Sequence, residues 1–169
     1  MKKDQSSPVK YWVACSGGVD SVVLVHLMHL SQQNFGILHM NFQLRGMASD
    51  LDEAFVAQLA DELKVPFKTK KVAVEAYIKQ HPRSNTQLAA RNLRYQWFEE
   101  IRETEKATLL LAHHQDDQIE TFFQQLARGG SVNGLVAMPQ YKNGYLRPLL
   151  NHSKAELIAL AKKNDWKWR

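Results

Sequence analysis

Residues 15–28, CSGGVDSVVLVHLM, place two adjacent glycines between two serines, put an aspartate in the same turn, and then run into an apolar helical pattern. The β-branched and aromatic run Tyr11 to Ala14 before it reads as a strand, and Ser21 to about Ser31 reads as a helix with Val22, Val25 and Met28 or His29 on related faces. Ser16-Gly17-Gly18-Val19-Asp20 is the turn between them. Glycines there let the backbone approach a ligand closely, and N–H groups at the helix start point outward with the positive end of the helix dipole behind them. Ser16 and Ser21 add hydroxyls, so the turn is an anion cradle suited to phosphate. It is neither G-x-x-x-x-G-K-[ST], since it has no lysine, nor G-x-G-x-x-G, since it has no third glycine. Asp20 beside such a cradle would repel phosphate unless a divalent cation lay between them, which makes it a candidate Mg²⁺ ligand. The simpler alternative is a tight turn with Ser21 as helix cap and Asp20 complementing the dipole, but two glycines and two serines exceed what a turn requires.

Outward from this unit, apolar strand-like runs recur at Phe35 to His39, Phe67 to Val74 and Thr108 to Ala112. Helical spacing fills the intervals. A second helix starts at Ser49, where S-D-L-D reads as a capping box, carries Phe55, Val56, Leu59 and Leu63, and stops before Pro66. A third covers about Thr86 to Thr104 with Leu88, Leu93, Trp97 and Ile101 as its stripe. A fourth opens near Asp116, carries Ile119, Phe122, Phe123 and Leu126, and stops at Gly129-Gly130; Ser153 caps a fifth that ends around Lys163. This alternation predicts an α/β fold, a doubly wound, mainly parallel sheet with helices on both faces. Lys68, Lys70 and Lys71 mark the third strand as an edge. The long loops are expected at 40–48 and 129–145, and loops at the carboxyl ends of the strands build the ligand site.

A chain of 169 residues forms one domain and buries a sizeable core without staples. Its single cysteine, Cys15, excludes an internal disulfide, a C-x-x-C pair and a cysteine-built metal centre in this chain, and suits a reducing, cytoplasmic setting. No stretch approaches the ~20 apolar residues of a membrane span, so no membrane partner is expected. The net charge of +5 modestly favours a polyanionic partner.

The S-G-G-V-D-S turn after a strand resembles the pyrophosphate loop of the N-type ATP pyrophosphatases, which cleave ATP between the α- and β-phosphates. Six further segments narrow the resemblance: H-M-N-F-Q-L-R-G at 39–46, S-D-L-D-E at 49–53, A-R-N-L-R-Y at 90–95, A-H-H-Q-D-D-Q-I-E-T at 112–121, R-G-G-S-V-N-G-L at 128–135 and R-P-L-L at 147–150. Together they resemble the tRNA(Ile)-lysidine synthases from Tyr11 to Arg169. Phe42 stands where that family often has histidine, and the glycine-rich segment differs somewhat. The family usually continues beyond the D-W-K-W-R at this chain's end into C-terminal tRNA-binding domains, so residues 1–169 read as its N-terminal catalytic domain.

The resemblance implies ATP and Mg²⁺, free lysine, and a tRNA(Ile) with anticodon CAU, and it leaves room for a homodimer of the full-length protein. The wobble cytidine is adenylated as pyrophosphate leaves, and lysine then displaces AMP. Ser16, Gly17, Gly18 and Ser21 would hold pyrophosphate and Asp20 the metal, Val19 belongs with them to the ATP-binding loop, and Ala14, Cys15 and Met40 line the adenosine site. Cys15 is expected to be a small packed residue, because the first step needs no nucleophilic thiol. Arg91 and Arg94 lie three apart on one helix face. They either pair with Glu99 or Glu100 or neutralise the α-phosphate. His114 is the candidate proton acceptor or adenylate contact, and His113 a packed strand-end residue. Asp117 and Glu120 share a face at i, i+3; a metal site or dipole complement would use such residues, but a clamp on the lysine ammonium ion is preferred. The rivals are a tRNA thiolase of the same superfamily, which usually needs more cysteine, and a nucleotide-binding module without chemistry, which has no use for Arg91 or the Asp117/Glu120 pair.

Overall fold

The run before the glycine turn is a strand, β1 (Tyr11–Ala14), and its alternation divides the interior in two. Val13, continued by Cys15, faces one core with Ile37 and Leu110, whereas Trp12 faces another with Leu38, Leu109, Trp97 and Phe98. The computed structural model describes residues 8–127 and 137–169. Along them follow α1 (Val19–Leu30), β2 (Phe35–Asn41), α2 (Met47–Leu63), β3 (Phe67–Lys71), α3 (Val74–Gln80), α4 (Thr86–Glu105), β4 (Thr108–Leu110), α5 (Gln115–Ala127), β5 (Tyr141–Lys142), β6 (Tyr145–Leu146) and α6 (Lys154–Lys163). The sheet order is β3-β2-β1-β4-β6-β5, parallel throughout except for the β5/β6 hairpin at one edge. Residues of α1, α2 and α6 fill the first core and those of α4 the second, so the sheet is covered on both faces, as the alternation predicted.

Strand β2 is buried along almost its whole length, the condition of a central parallel strand. Gly36 interrupts its apolar run for a steric reason: a Cβ there would stand 2.4 Å from Cζ3 of Trp12. Strand β3 is the edge its lysines foretold. Lys68 pairs with Glu105 and lies over the Trp12 ring, Lys70 pairs with Glu100 at 3.0 Å, and Lys71 pairs with Asp50 at 2.9 Å.

Several boundaries differ from the sequence reading. Helix α1 begins at Val19, so Ser21 lies inside its first turn and Gly18 is the N-cap. Helix α2 begins at Met47 behind Gly46, and the expected S-D-L-D capping box does not form. Its carboxylates are engaged elsewhere: Asp52 by Arg45 and Arg169, Asp50 by Asn41 and Lys71. Ser49 is buried and accepts the Arg45 N–H. Strand β3 ends at Lys71, and Val74 opens the short helix α3, which packs on α4 through Ala89 and Ala90. The expected loop at 129–145 contains the β5/β6 hairpin, while the 128–135 segment and the stop at Gly129-Gly130 lie outside the described residues. On α4, Trp97 and Ile101 are buried but Leu88 is exposed, and Ala90 and Phe98 complete the inward face. On α5, Ile119, Phe122 and Phe123 face outward rather than into either core.

Candidate active site

In this strand order β2 and β1 continue one way from the centre and β4 and β6 the other, so the topological switch point falls between β1 and β4. Connections diverge there and leave a crevice at the carboxyl ends of the strands. The turn at 16–18 follows β1, and the segment 111–114 follows β4. Both therefore open onto that crevice.

The turn is held from within. The Ser21 hydroxyl donates to the Gly18 carbonyl at 2.9 Å and accepts the Ser16 N–H at 3.2 Å. The Ser16 hydroxyl lies 3.3 Å from that of Ser21 and accepts the Gly18 N–H. Ser21 is thus a buried staple of the loop, whereas Ser16 stands at its rim. Gly17 has φ +92°, a conformation open to glycine at little cost, and a Cβ there would meet Phe55 and Val56 of α2 at 3.5 Å. The backbone conformation at position 17 by itself calls for glycine, and the added carbon would point toward α2. No side chain caps α1, which leaves first-turn N–H groups and the positive dipole end available to an anion.

Cys15 is buried, burial pushes its thiol up, and its sulfur lies 3.5 Å from the Ser21 hydroxyl. It packs the base of the loop. Its carbonyl accepts a 2.9 Å hydrogen bond from Nδ1 of His39, which ties β2 to the turn. Ala14 and Met40 lie on the opposite face, packed against the second core at the ends of β1 and β2. Val19 is buried in the first core.

Asp20 faces the crevice, and both of its oxygens accept from the Lys154 ammonium, at 2.8 and 2.6 Å. The sequence reading missed Lys154. A signal existed: the Ser153/Glu156 capping box makes Lys154 the first residue of α6, where a cation opposes the helix dipole. A residue that breaks a local rule needs a compensating partner or a function. Helix α6 is positioned by the chain before it, because Gln115 N–H donates to His152 O and Gln118 Nε2 to Leu150 O.

Nε2 of His114 lies 3.8 Å from Asp20 and 3.5 Å from Asp117, so one imidazole joins the phosphate loop to the start of α5. His114 is 8% exposed, and its Nδ1 is shut off from solvent and has no hydrogen-bond partner among the described residues. Asp117 accepts the His114 N–H at 2.8 Å, the reach-back contact of a helix-start carboxylate. Glu120 is exposed and accepts from Gln124 one turn on. The structure thus gives Asp117 a helix-start function in addition to any ligand contact.

Arg91 and Arg94 lie on α4, in the layer that packs the second core. The alternative in which they pair with Glu99 or Glu100 does not occur: Glu99 holds Arg102 and the Tyr145 hydroxyl, each at 2.6 Å, and Glu100 holds Lys70. Among the described residues neither arginine has a carboxylate partner. Each guanidinium rests on a ring instead, Arg91 over Tyr95 at 4.8 Å and Arg94 over Phe42 at 5.2 Å.

An α/β sheet of this order, with an uncapped glycine turn leading from β1 into α1 at the switch point, defines a phosphate-loop nucleotide-binding domain. The whole chain, residues 1–169, matches the PP-loop domain family and belongs to it. Similar curated proteins include the tRNA(Ile)-lysidine synthases of Bacteroides thetaiotaomicron, 39% identical over 88% of this chain and 35% of that protein, and of Coxiella burnetii, 38% identical over 96% and 37%. That of Chlorobaculum tepidum is 34% identical over 93% of this chain and 49% of its own length. The chain thus spans between about a third and a half of these relatives. Among solved structures, a U34-tRNA thiolase from Methanococcus maripaludis with its 4Fe-4S cluster shares the fold at TM-score 0.70 and 18% identity, covering 100% of this chain and 61% of that one. An NH3-dependent NAD synthetase from Campylobacter jejuni does so at TM-score 0.65 and 20% identity, covering 96% and 66%.

Proposed function

We propose that this chain is the ATP-using catalytic domain of a tRNA(Ile)-lysidine synthase. The base oxygen of the wobble cytidine attacks the α-phosphate of ATP; the P–O bond to the β-phosphate breaks and pyrophosphate leaves. The amine of free lysine then attacks the activated base carbon, a C–N bond forms, and AMP departs with the oxygen. The amine's proton is lost to a neighbouring base, for which His114 is the candidate. The observation that carries the reading is the line Asp20, His114, Asp117, which joins the phosphate loop to the acidic start of α5 across the switch-point crevice. A module that only bound a nucleotide would have no use for that line.

The loop at 16–18 and the first turn of α1 receive the pyrophosphate. Asp20 is a hard oxygen donor at the rim of an anion cradle and fits Mg²⁺, with Lys154 free to turn from Asp20 toward the phosphates once the metal takes its place. When bound, Mg²⁺ draws negative charge from the departing pyrophosphate. Arg91, without a carboxylate partner among the described residues, neutralises the α-phosphate, and Asp117 with Glu120 grips an ammonium ion of the incoming lysine. A thiolase reaction is disfavoured by the buried state of this chain's one cysteine. No helix among the described residues is long and apolar enough to cross a membrane, and a tRNA substrate suits a cytoplasmic enzyme.

Selecting one tRNA requires a surface longer than a domain with radius of gyration of ~15 Å offers. Residues 1–169 therefore bind ATP·Mg, and further chain of the kind the relatives possess supplies selection. The test is pyrophosphate release by the full-length protein with purified tRNA(Ile) and lysine, with the modified nucleoside read by mass spectrometry. Asp20→Ala should abolish Mg-dependent release while the fold persists. Near-normal adenylation by that variant refutes the metal assignment, and ATP turnover without lysidine refutes the function.

A further inference from the structure

Residues 164–169 have no place in the chemistry above, yet they return to the phosphate loop. Helix α6 ends in a left-handed turn: Asp165 has φ +54°, its N–H donates to Lys162 O, and the Trp166 N–H donates to Ala161 O, the paired hydrogen bonds of a Schellman cap. Trp166 and Ala161 both belong to the first core, the apolar contact that accompanies such a cap. The cap turns the chain off the α6 axis, and Trp166 stacks on His26 of α1, with ring centroids 4.4 Å apart and planes within 4° of parallel. Trp168 packs against the same core. Arg169 then meets the loop itself. Its backbone N–H donates to Gly17 O at 3.0 Å, and its Nε donates to Asp52 of α2 at 2.7 Å.

The carbonyl that Arg169 holds belongs to a peptide whose other end serves the loop. The 17–18 peptide is trans, so its C=O and N–H point in opposite directions. With the carbonyl turned to Arg169, the Gly18 N–H points toward the Ser16 hydroxyl at the rim, 3.3 Å away. Rotating this peptide by half a turn would set an acceptor where an anion needs a donor. Glycine at 17 makes such a rotation easy, because it tolerates φ of either sign. The Arg169 N–H supplies a hold from outside the loop, and Asp52 fixes Arg169 in turn. That carboxylate is itself held on its other oxygen by Arg45, and its side chain is only 13% exposed.

We propose that Arg169 is a positioning residue for the pyrophosphate step: anchored through its side chain to Asp52, it keeps the 17–18 peptide turned so that the Gly18 N–H faces the departing anion. The proposal rests on the reading that this loop receives pyrophosphate. Arg169 touches no reacting atom, and its effect passes through the Gly17 carbonyl.

The test is isothermal titration of the full-length protein with pyrophosphate·Mg and with AMP. Arg169→Ala frees the anchor, and Asp52→Asn removes the charge that holds it. Each should weaken pyrophosphate·Mg binding about three- to tenfold, the worth of one positioned hydrogen bond, and leave AMP within about twofold of the parent. Arg169→Lys, which keeps a cation for Asp52, should recover most of the loss. The double variant should bind no more weakly than the weaker single one, because both changes act through one contact. Unchanged pyrophosphate·Mg affinity in Arg169→Ala overturns the proposal. Equal losses for pyrophosphate·Mg and AMP also overturn it and mark a merely structural contact, as do additive losses in the double variant. A parent that binds AMP but not pyrophosphate·Mg overturns both the proposal and the loop's assignment. The expected pattern in a protein that makes no lysidine supports the positioning and refutes the function proposed above.

Discussion

Replacing Lys154 by methionine removes the ammonium that Asp20 holds through two hydrogen bonds and leaves a stem of similar length. In the unliganded protein the change should be mild. The two side chains are 38% and 23% exposed, so solvent screening reduces the pair to about 0–1 kcal/mol, and a chain of this size should melt within roughly 4 °C of the parent. Nucleotide binding should respond much more strongly. If Lys154 turns to the β- and γ-phosphates when the metal engages Asp20, the variant loses a charge-assisted contact of about 1.5–3 kcal/mol, or about tenfold to 150-fold in affinity for ATP·Mg. AMP, which lacks those phosphates, should bind the variant and parent alike. Isothermal titration with ATP·Mg, pyrophosphate·Mg and AMP reads all three. If Lys154 served only to occupy Asp20, its removal would ease metal entry and tighten ATP·Mg binding. A gain for ATP·Mg, or equal losses for ATP and AMP, therefore refutes the reasoning.

Gly17→Ala should cost about 1–2 kcal/mol through its φ of +92°, because the added methyl meets only ordinary contacts on α2, and should lower the melting temperature by roughly 2–8 °C; ATP·Mg affinity should fall as well, and unchanged affinity would reduce the loop to a turn. Glu120→Gln in the active full-length protein should raise the lysine requirement by about tenfold or more while leaving that for ATP nearly unchanged; equal effects would argue for a structural role. His26 and His113 are both held below the ordinary histidine value, mainly by burial, so the unfolded chain takes up their protons first as pH falls. Stability should accordingly be full above about pH 7 and decline toward pH 5, and His113→Asn should flatten that decline in urea melts at several pH values; an unchanged slope removes His113 from the account.

Much of this architecture was legible before any coordinates. Periodicity placed β1, β2, β4 and four long helices to within a few residues, and the lysines of β3 marked a sheet edge, because burial and edge exposure leave their mark on single residues. Signals that depended on local competition were misread. S-D-L-D resembled a capping box, yet each carboxylate had a stronger partner distant in sequence: Lys71 and Asn41 for Asp50, Arg45 and Arg169 for Asp52. The apolar stripe of α5 resembled a core face, yet Phe123 is 60% exposed. Helix α3 and the β5/β6 hairpin are short, and such elements are stabilised more by tertiary contacts than by their own pattern.

The sequence by itself determined the phosphate turn, the parallel α/β order and the residue types at the crevice, because turn geometry and amphipathic period are properties of adjacent residues. Tertiary structure decided what those residues face. Lys154 reaches Asp20 across 134 positions, Ser21 turns inward to staple the loop, and Glu99 and Glu100 are claimed by Tyr145, Arg102 and Lys70, which leaves Arg91 and Arg94 without carboxylate partners among the described residues. Which charge finds a partner depends on distances that only the packed sheet sets, since Coulomb attraction and hydrogen bonding act through space and are indifferent to separation along the chain.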